Sequence, residues 1–227
     1  MKSIAFVMYD VTALDELLKQ FIGLNKDQEK RARIINDLEK KNTIAVFGFG
    51  SLMWNPFERV EKIIRNCTLH GYVKGFFCQD FVSRGTRDCR ALTMGLKPAK
   101  KAFVKGYLLK ASIDRAIRFL EAVLKREVPV DANGTVMDIY TFEFVRVIVD
   151  DTKEVEWALT CVVNRSSQFC VVDTLSIEEQ AKMIGKAYGI NGSSFEYLQK
   201  AINLYQQENL EDSFSEDIER LYDAILQ

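Results

Sequence analysis

The chain has 227 residues, 48% hydrophobic and 28% charged, enough apolar side chain for a full core and a length that suits one large domain or one domain with an appendage. Lys and Arg total 31 against 32 for Asp and Glu, a formal net charge of −1, so composition carries no electrostatic footprint for nucleic acid or an anionic membrane surface. A single histidine, His70, and five cysteines without a CxxC pair exclude a zinc site at usable spacing, and the cysteines read as reduced thiols.

At the start of the chain, the apolar run Ile4–Tyr9 is cut short by Asp10, too early for a signal core or a membrane span. A cytoplasmic protein is the expectation. Residues 1–42 read as a helical extension. Thr12 with Asp15 resembles a capping box, in which each side chain satisfies a free helix-end amide. Leu14, Leu17, Leu18, Phe21 and Ile22 then fall on one helical face, and Gly23 is a stop. Asn25 with Gln28 can open a second helix carrying Ile34, Ile35 and Leu38 before the charged end Glu39-Lys40-Lys41.

From residue 43 the pattern changes. Ile44–Phe47 is a short apolar strand running into Gly48-Phe49-Gly50-Ser51. Thr68–Phe77, Ala91–Leu96 and Ala102–Leu109 are further strands, the last two predicted as a hairpin around Pro98. On that reading Lys97, Lys100, Lys101 and Lys105 form a solvated hairpin tip. His70 lies in a strand, where a structural role is expected. Ser112 can cap a helix to about Arg126, with Glu127 at its end and a loop through Pro129, Asn133 and Gly134. Ile139–Val149 and Val155–Val163 are strands around Asp150-Asp151. Ser176 with Glu179 and Ser193 with Glu196 predict capping boxes for helices over Ile177–Tyr188 and Phe195–Leu210, and a last helix covers Ser215–Leu226. Strands gathered in one block and flanked by helices indicate an α+β fold.

Three segments carry chemistry. A strand ending in Gly48-Phe49-Gly50-Ser51-Leu52-Met53 can turn sharply and present consecutive backbone N–H groups, a nest for a carboxylate or phosphate; it can equally be a tight turn and no more. The turn lacks GxGxxG and Gly-Lys-Ser/Thr, which argues against a nucleotide site. The loop Val82-Ser83-Arg84-Gly85-Thr86-Arg87, followed by Arg90, is rich in donors. It can hold a carboxylate through a bidentate arginine contact, or simply be a surface loop. Lys125-Arg126-Glu127 reads either as a solvated helix end or as the site of a general base. A carboxylate at a helix C-terminus faces the negative end of the dipole, which raises its pKa, and it becomes a competent base if it faces the glycine turn.

Taken in order, these segments resemble the ChaC-like γ-glutamylcyclotransferases. The carrying residues are Phe47-Gly48-Phe49-Gly50-Ser51-Leu52-Met53-Trp54, then Arg84-Gly85-Thr86 with Arg90, then Arg126-Glu127, then Ser194-Phe195-Glu196-Tyr197-Leu198. The similarity runs from about residue 43 to the last helix. Three places depart from the family pattern: Phe49 stands where tyrosine is usual, Asp88-Cys89-Arg90 replaces Pro-Gly before the second arginine, and Asn133-Gly134-Thr135 stands in for Gly-Gly-Tyr after the glutamate.

The resemblance implies a small mixed β-barrel surrounded by helices, with residues 1–42 as an N-terminal extension and 43–227 as the catalytic domain. It implies cleavage of glutathione or a related γ-glutamyl peptide to 5-oxoproline and the free amine, with no metal or cofactor. The substrate is a small molecule, with neither nucleic acid nor membrane as a partner. Glu127 is the implied general acid/base. Gly48, Phe49, Gly50, Ser51, Leu52 and Met53, with Arg84 and Arg90, are the implied substrate contacts. Tyr197 and Trp54 read as core or site wall. The alternatives are a γ-glutamyl-binding pseudoenzyme on the same fold and a nucleotide-binding module resting on the glycine turn.

Overall fold

The computed structural model describes residues 10–128, 130 and 136–227. The Ile4–Tyr9 run, Pro129 and the Asn133-Gly134-Thr135 segment lie outside the described residues.

Five strands make a closed barrel. They are β1 (Thr43–Gly48), β2 (Lys62–Asp80), β3 (Ala91–Ser112), β4 (Tyr140–Val149) and β5 (Val155–Val163), neighbouring in the order β1-β3-β2-β4-β5. All pairings are antiparallel except the closing one, where β1 meets β5 in parallel with Val46 opposite Leu159. This is the mixed α+β barrel the sequence led us to expect. Closure joins β1 to β5, strands that would otherwise be the sheet's two edges. Helices α1 (Val11–Leu18), α2 (Gln28–Lys41), α3 (Ala116–Glu127), α4 (Ile177–Lys186), α5 (Ser194–Gln207) and α6 (Ser215–Leu226) surround it, with two-residue strands β6 (Tyr188–Gly189) and β7 (Gly192–Ser193) between α4 and α5. Among the described residues no helix is long and apolar enough to cross a membrane.

The predicted hairpin at Pro98 is not formed. Residues 91–112 are one strand, because β2 pairs with it on both sides, up to Pro98 and again from Phe103, with residues 99–102 unpaired between. Tyr72 lies opposite Pro98 and His70 opposite Phe103, with a register irregularity between them at Gly71, whose φ is +86°. Such a break tolerates a residue that cannot donate to the ladder. Lys97 and Lys105 are therefore not at a tip but in the paired ladder, whereas Lys100 and Lys101 are exposed in the unpaired stretch. Lys97 pairs with Asp173, and Lys105 with Asp150 at 2.8 Å. His70 is exposed on β2.

Helix starts also differ in detail. Asp10, not Thr12, caps α1, accepting from the Ala13 N–H at 3.0 Å, and Asp27, not Asn25, caps α2, accepting from Lys30 at 2.8 Å. Ser112 caps no helix: its hydroxyl donates to Glu61 at 2.6 Å, and a short 3₁₀ turn precedes α3. The boxes at Ser176/Glu179 and Ser193/Glu196 form in full. Leu14, Leu18, Phe21, Leu24 and Ile34 share one apolar cluster with the barrel residues Phe47, Leu108, Phe142 and Leu159. Phe21 meets the Phe142 ring edge-on at 4.7 Å, and the Phe142 N–H donates to Ile22 O at 2.7 Å. Burial of this size dominates helix stability, since helices this short are marginal alone.

Candidate active site

One end of the barrel opens into a cavity of about 960 Å³, large enough for a tripeptide-sized ligand. It gathers residues that are remote in sequence: the turn after β1, the end of β2, the starts of β3 and β4, the last turn of α3 and the first half of α5.

The turn folds back tightly. The Met53 N–H donates to Gly50 O, and the Asn55 N–H to Ser51 O, both at 2.9 Å. A Cβ on residue 48 would lie 2.8 Å from Leu52 Cβ, and one on residue 50 would lie 3.2 Å from the Tyr197 hydroxyl. Glycine is thus required at 48 for the chain to double back and favoured at 50 for α5 to approach. Phe49, Gly50, Ser51 and Leu52 line the cavity, whereas Gly48 and the buried Met53 support it from behind. Among the described residues, the N–H groups of Gly50, Ser51 and Leu52 meet no protein acceptor. Unpaired amides at a cavity wall are donors awaiting a ligand oxygen.

Glu127 is the last residue of α3 and lines the same cavity. The link between helix and turn is Arg126. Its Nη2 donates to Ser51 Oγ at 3.0 Å, and its Nε lies 3.2 Å from Glu127 Oε1. Through Arg126 the carboxylate is tied to the glycine turn, and both line one cavity. Burial pushes the Glu127 carboxyl above the usual carboxylate range, and Arg126, through charge and hydrogen bond, partly offsets this. The side chain is not sealed off: 18% of its surface stays accessible, enough for a ligand to reach it. Burial is the chief cause of the shift, where the sequence pointed to the helix end.

Around the carboxyl stand groups held protonated. Burial, with Glu127 contributing, drives the Tyr140 and Tyr197 phenols and the Cys161 thiol upward. Tyr140 donates to Met94 O at 2.8 Å, and the Trp54 and Tyr197 rings meet edge-on at 5.3 Å. Trp54 and Tyr197 are both packing residues and cavity wall.

The donor-rich loop is split by the fold. Asp80 Oδ1 accepts from the N–H groups of Val82 at 2.8 Å and Ser83 at 2.7 Å, shaping a turn that delivers Arg84 to the cavity. The guanidinium of Arg84 lies 5.3 Å from the Tyr197 ring centroid and donates to Asn191 O. Arg90 is not brought there: its Nη1 donates to Gln79 Oε1 at 2.6 Å on the exposed side. The loop doubles back at Gly85, where a Cβ would sit 2.5 Å from Ala91 N, and so turns the two arginines apart. Sequence reasoning missed Asp80, Tyr140 and Cys161 as lining residues, because in a strand pattern an inward polar residue looks like any other core position. The Arg126–Ser51 tie was signalled only by both residues standing in the motif segments.

The ChaC-like protein family profile matches residues 44–226. A glutathione-specific gamma-glutamylcyclotransferase from Schizosaccharomyces pombe is 28% identical over 178 residues, 71% of this chain and 82% of that one. Gamma-glutamylcyclotransferase 2-1 from Arabidopsis thaliana is 29% identical over 164 residues, 68% of this chain and 70% of its own. Two crystal structures of the yeast glutathione-specific enzyme superpose with TM-scores of 0.65 and 0.68 at 17% identity, covering 81% and 82% of this chain and 98% and 96% of theirs, which establishes a common fold. The match across most of the chain, in motif order and in fold, shows that this protein belongs to the ChaC-like family.

Proposed function

We propose that this protein is a γ-glutamylcyclotransferase that cleaves glutathione to 5-oxoproline and Cys-Gly. The observation that carries the reading is the pairing, across one cavity, of a partly buried carboxyl at Glu127 with the Gly50–Leu52 turn amides, which meet no acceptor among the described residues. Similarity to two named cyclotransferases supports it.

The substrate contains both reacting groups, so the protein need supply only a base, a geometry and an electrostatic environment. Glu127 takes a proton from the substrate ammonium. The freed amine attacks the γ-carbonyl carbon, forming the new C–N bond. Negative charge develops on the carbonyl oxygen and is met by the turn amides. The γ-peptide C–N bond then breaks as the proton held by Glu127 passes to the departing amine, and the ring nitrogen, which still carries two hydrogens after the attack, sheds one to the restored Glu127 carboxylate, from which it leaves to the free amine or to solvent. A carboxyl with an elevated pKa suits these proton transfers. Arg84 contacts a substrate carboxylate. Residues 43–227 form the catalytic unit and residues 1–42 an N-terminal extension, whose described part, from residue 10, braces it. The five free cysteines support a reducing cytoplasm, where glutathione is abundant.

Incubation with glutathione tests this, with 5-oxoproline as the scored product. N-acetyl-glutathione, whose amine cannot attack, is expected to be inert. Glu127→Gln keeps shape but accepts no proton, and should lower kcat by ~10²–10⁴-fold with substrate binding retained. Free glutamate as the first product would make water the nucleophile and overturn the mechanism. Binding without turnover by the wild type would make the protein a γ-glutamyl-binding pseudoenzyme.

A further inference from the structure

Beneath the glycine turn lies a charge that the mechanism above leaves unused. Lys74, on β2, is fully buried, and its Nζ stands 3.2 Å from Oδ2 of the equally buried Asp212. The same ammonium donates to the backbone carbonyls of Phe49 at 3.3 Å and Lys105 at 3.2 Å. Asp212 is fixed in turn: it accepts from the Tyr205 hydroxyl at 3.0 Å, the Lys105 N–H at 2.9 Å and the Phe214 N–H at 3.0 Å. Stability does not account for this pair, since apolar side chains of similar volume commonly serve a core as well or better. What the pair does achieve is an anchor point on the cavity turn.

That anchor has a directional consequence. All described peptide bonds are trans, and in a planar trans peptide the carbonyl of one residue and the N–H of the next point opposite ways. With the Phe49 carbonyl drawn into the core by Lys74, the Gly50 N–H is turned toward the cavity that Gly50 lines. Glycine has little preference of its own for either orientation of its flanking peptide. Flipped, that peptide would aim a carbonyl oxygen at the developing negative charge.

We infer that Lys74, anchored by Asp212, is a positioning residue that holds the Phe49–Gly50 peptide with its N–H directed at the reacting carbonyl oxygen. The inference rests on the proposed cyclotransferase reading.

The test is the paired variant Lys74→Met/Asp212→Asn, which removes the ion pair without leaving an orphaned buried charge. A donor aimed at the oxyanion acts in the transition state, so kcat and kcat/KM should fall together with KM little changed. Misaligning the donor should cost roughly 10–100-fold in kcat, short of the ~10²–10³-fold of deleting one outright. A merely structural pair would lower the melting temperature and leave the kcat of the folded variant intact; a folded variant with kcat within about twofold of wild type sinks the inference. If instead the wild type makes no 5-oxoproline, the cyclotransferase reading fails and takes this one with it. A second measurement needs no variant: the Gly50 amide proton resonance of the wild type should move on titration with 5-oxoproline. An unmoved Gly50 amide overturns the orientation argument even if the paired variant does not fold.

Discussion

Arg126 reaches across 75 residues of sequence to donate to Ser51 Oγ at 3.0 Å, joining the last turn of α3 to the turn after β1. The same guanidinium holds Glu127 at 3.2 Å. One side chain thus ties the carboxyl to the turn and partly offsets the effect of burial on its ionisation.

The acid limb of the pH–rate profile should follow from that balance. Burial raises the Glu127 pKa and Arg126 lowers it, the first effect prevailing. The basic form is the carboxylate, which appears as pH rises through the pKa, so kcat/KM should climb with a midpoint above the ordinary glutamate value of 4.5. Arg126→Gln removes the lowering influence and leaves burial unopposed. The midpoint should move further toward alkaline pH, and KM should rise as Ser51 is released. An acid limb that stays put in Arg126→Gln would show that Glu127 is not the titrating group.

Phe49 tests how much one hydroxyl matters in the binding turn. Its side chain lines the cavity and is 8% exposed. Phe49→Tyr adds a single oxygen to a ring of nearly the same shape, so the fold should survive. A net hydrogen bond is worth about 0.5–1.5 kcal/mol, which bounds the gain in kcat/KM at roughly tenfold. Steady-state kinetics on glutathione check this. A loss beyond about tenfold would mean the hydroxyl is driven against a dry apolar wall, where an unpaired polar group costs ~1–3 kcal/mol.

Two glycines should separate function from stability. A methyl group at residue 50 would project toward the Tyr197 hydroxyl at 3.2 Å, a contact that a small shift relieves. Gly50→Ala is therefore expected to melt near wild type but to lose at least about tenfold in kcat/KM, because the methyl disturbs the cavity wall. At residue 85 the obstacles are backbone atoms at 2.5 Å and 2.6 Å, which cannot yield without moving the loop. Gly85→Ala should cost about 1–3 kcal/mol of stability, the usual range for overpacking, and displace Arg84. Thermal denaturation and kinetics on both variants distinguish the two. Equal loss of stability would mean that the Gly50 position, too, is needed for packing.

The sequence by itself determined what local rules control. The capping boxes at Ser176 and Ser193, the apolar periodicity of the helices and the apolar strands β4 and β5 around Asp150-Asp151 are short-range patterns, and each formed as its pattern implied. The motif segments around Gly48–Trp54 and Arg126-Glu127 fall at the cavity, a placement that the family resemblance implied and the residues alone left open. Long-range pairing decided the rest. Whether Pro98 ends a strand depends on the length of β2 opposite it, not on Pro98. Arg84 and Arg90 are chemically alike, and only the folded loop, turned by Asp80 and crowded at Gly85, separates one at the cavity from the other in solvent. Lys74 sits in a strand where a lysine ordinarily reads as solvent-facing; its burial becomes intelligible once Asp212, 138 residues on, is folded against it at 3.2 Å. A charge can be read as part of a core only when its partner is known, and closure of the barrel and packing of the last helices supply that partner.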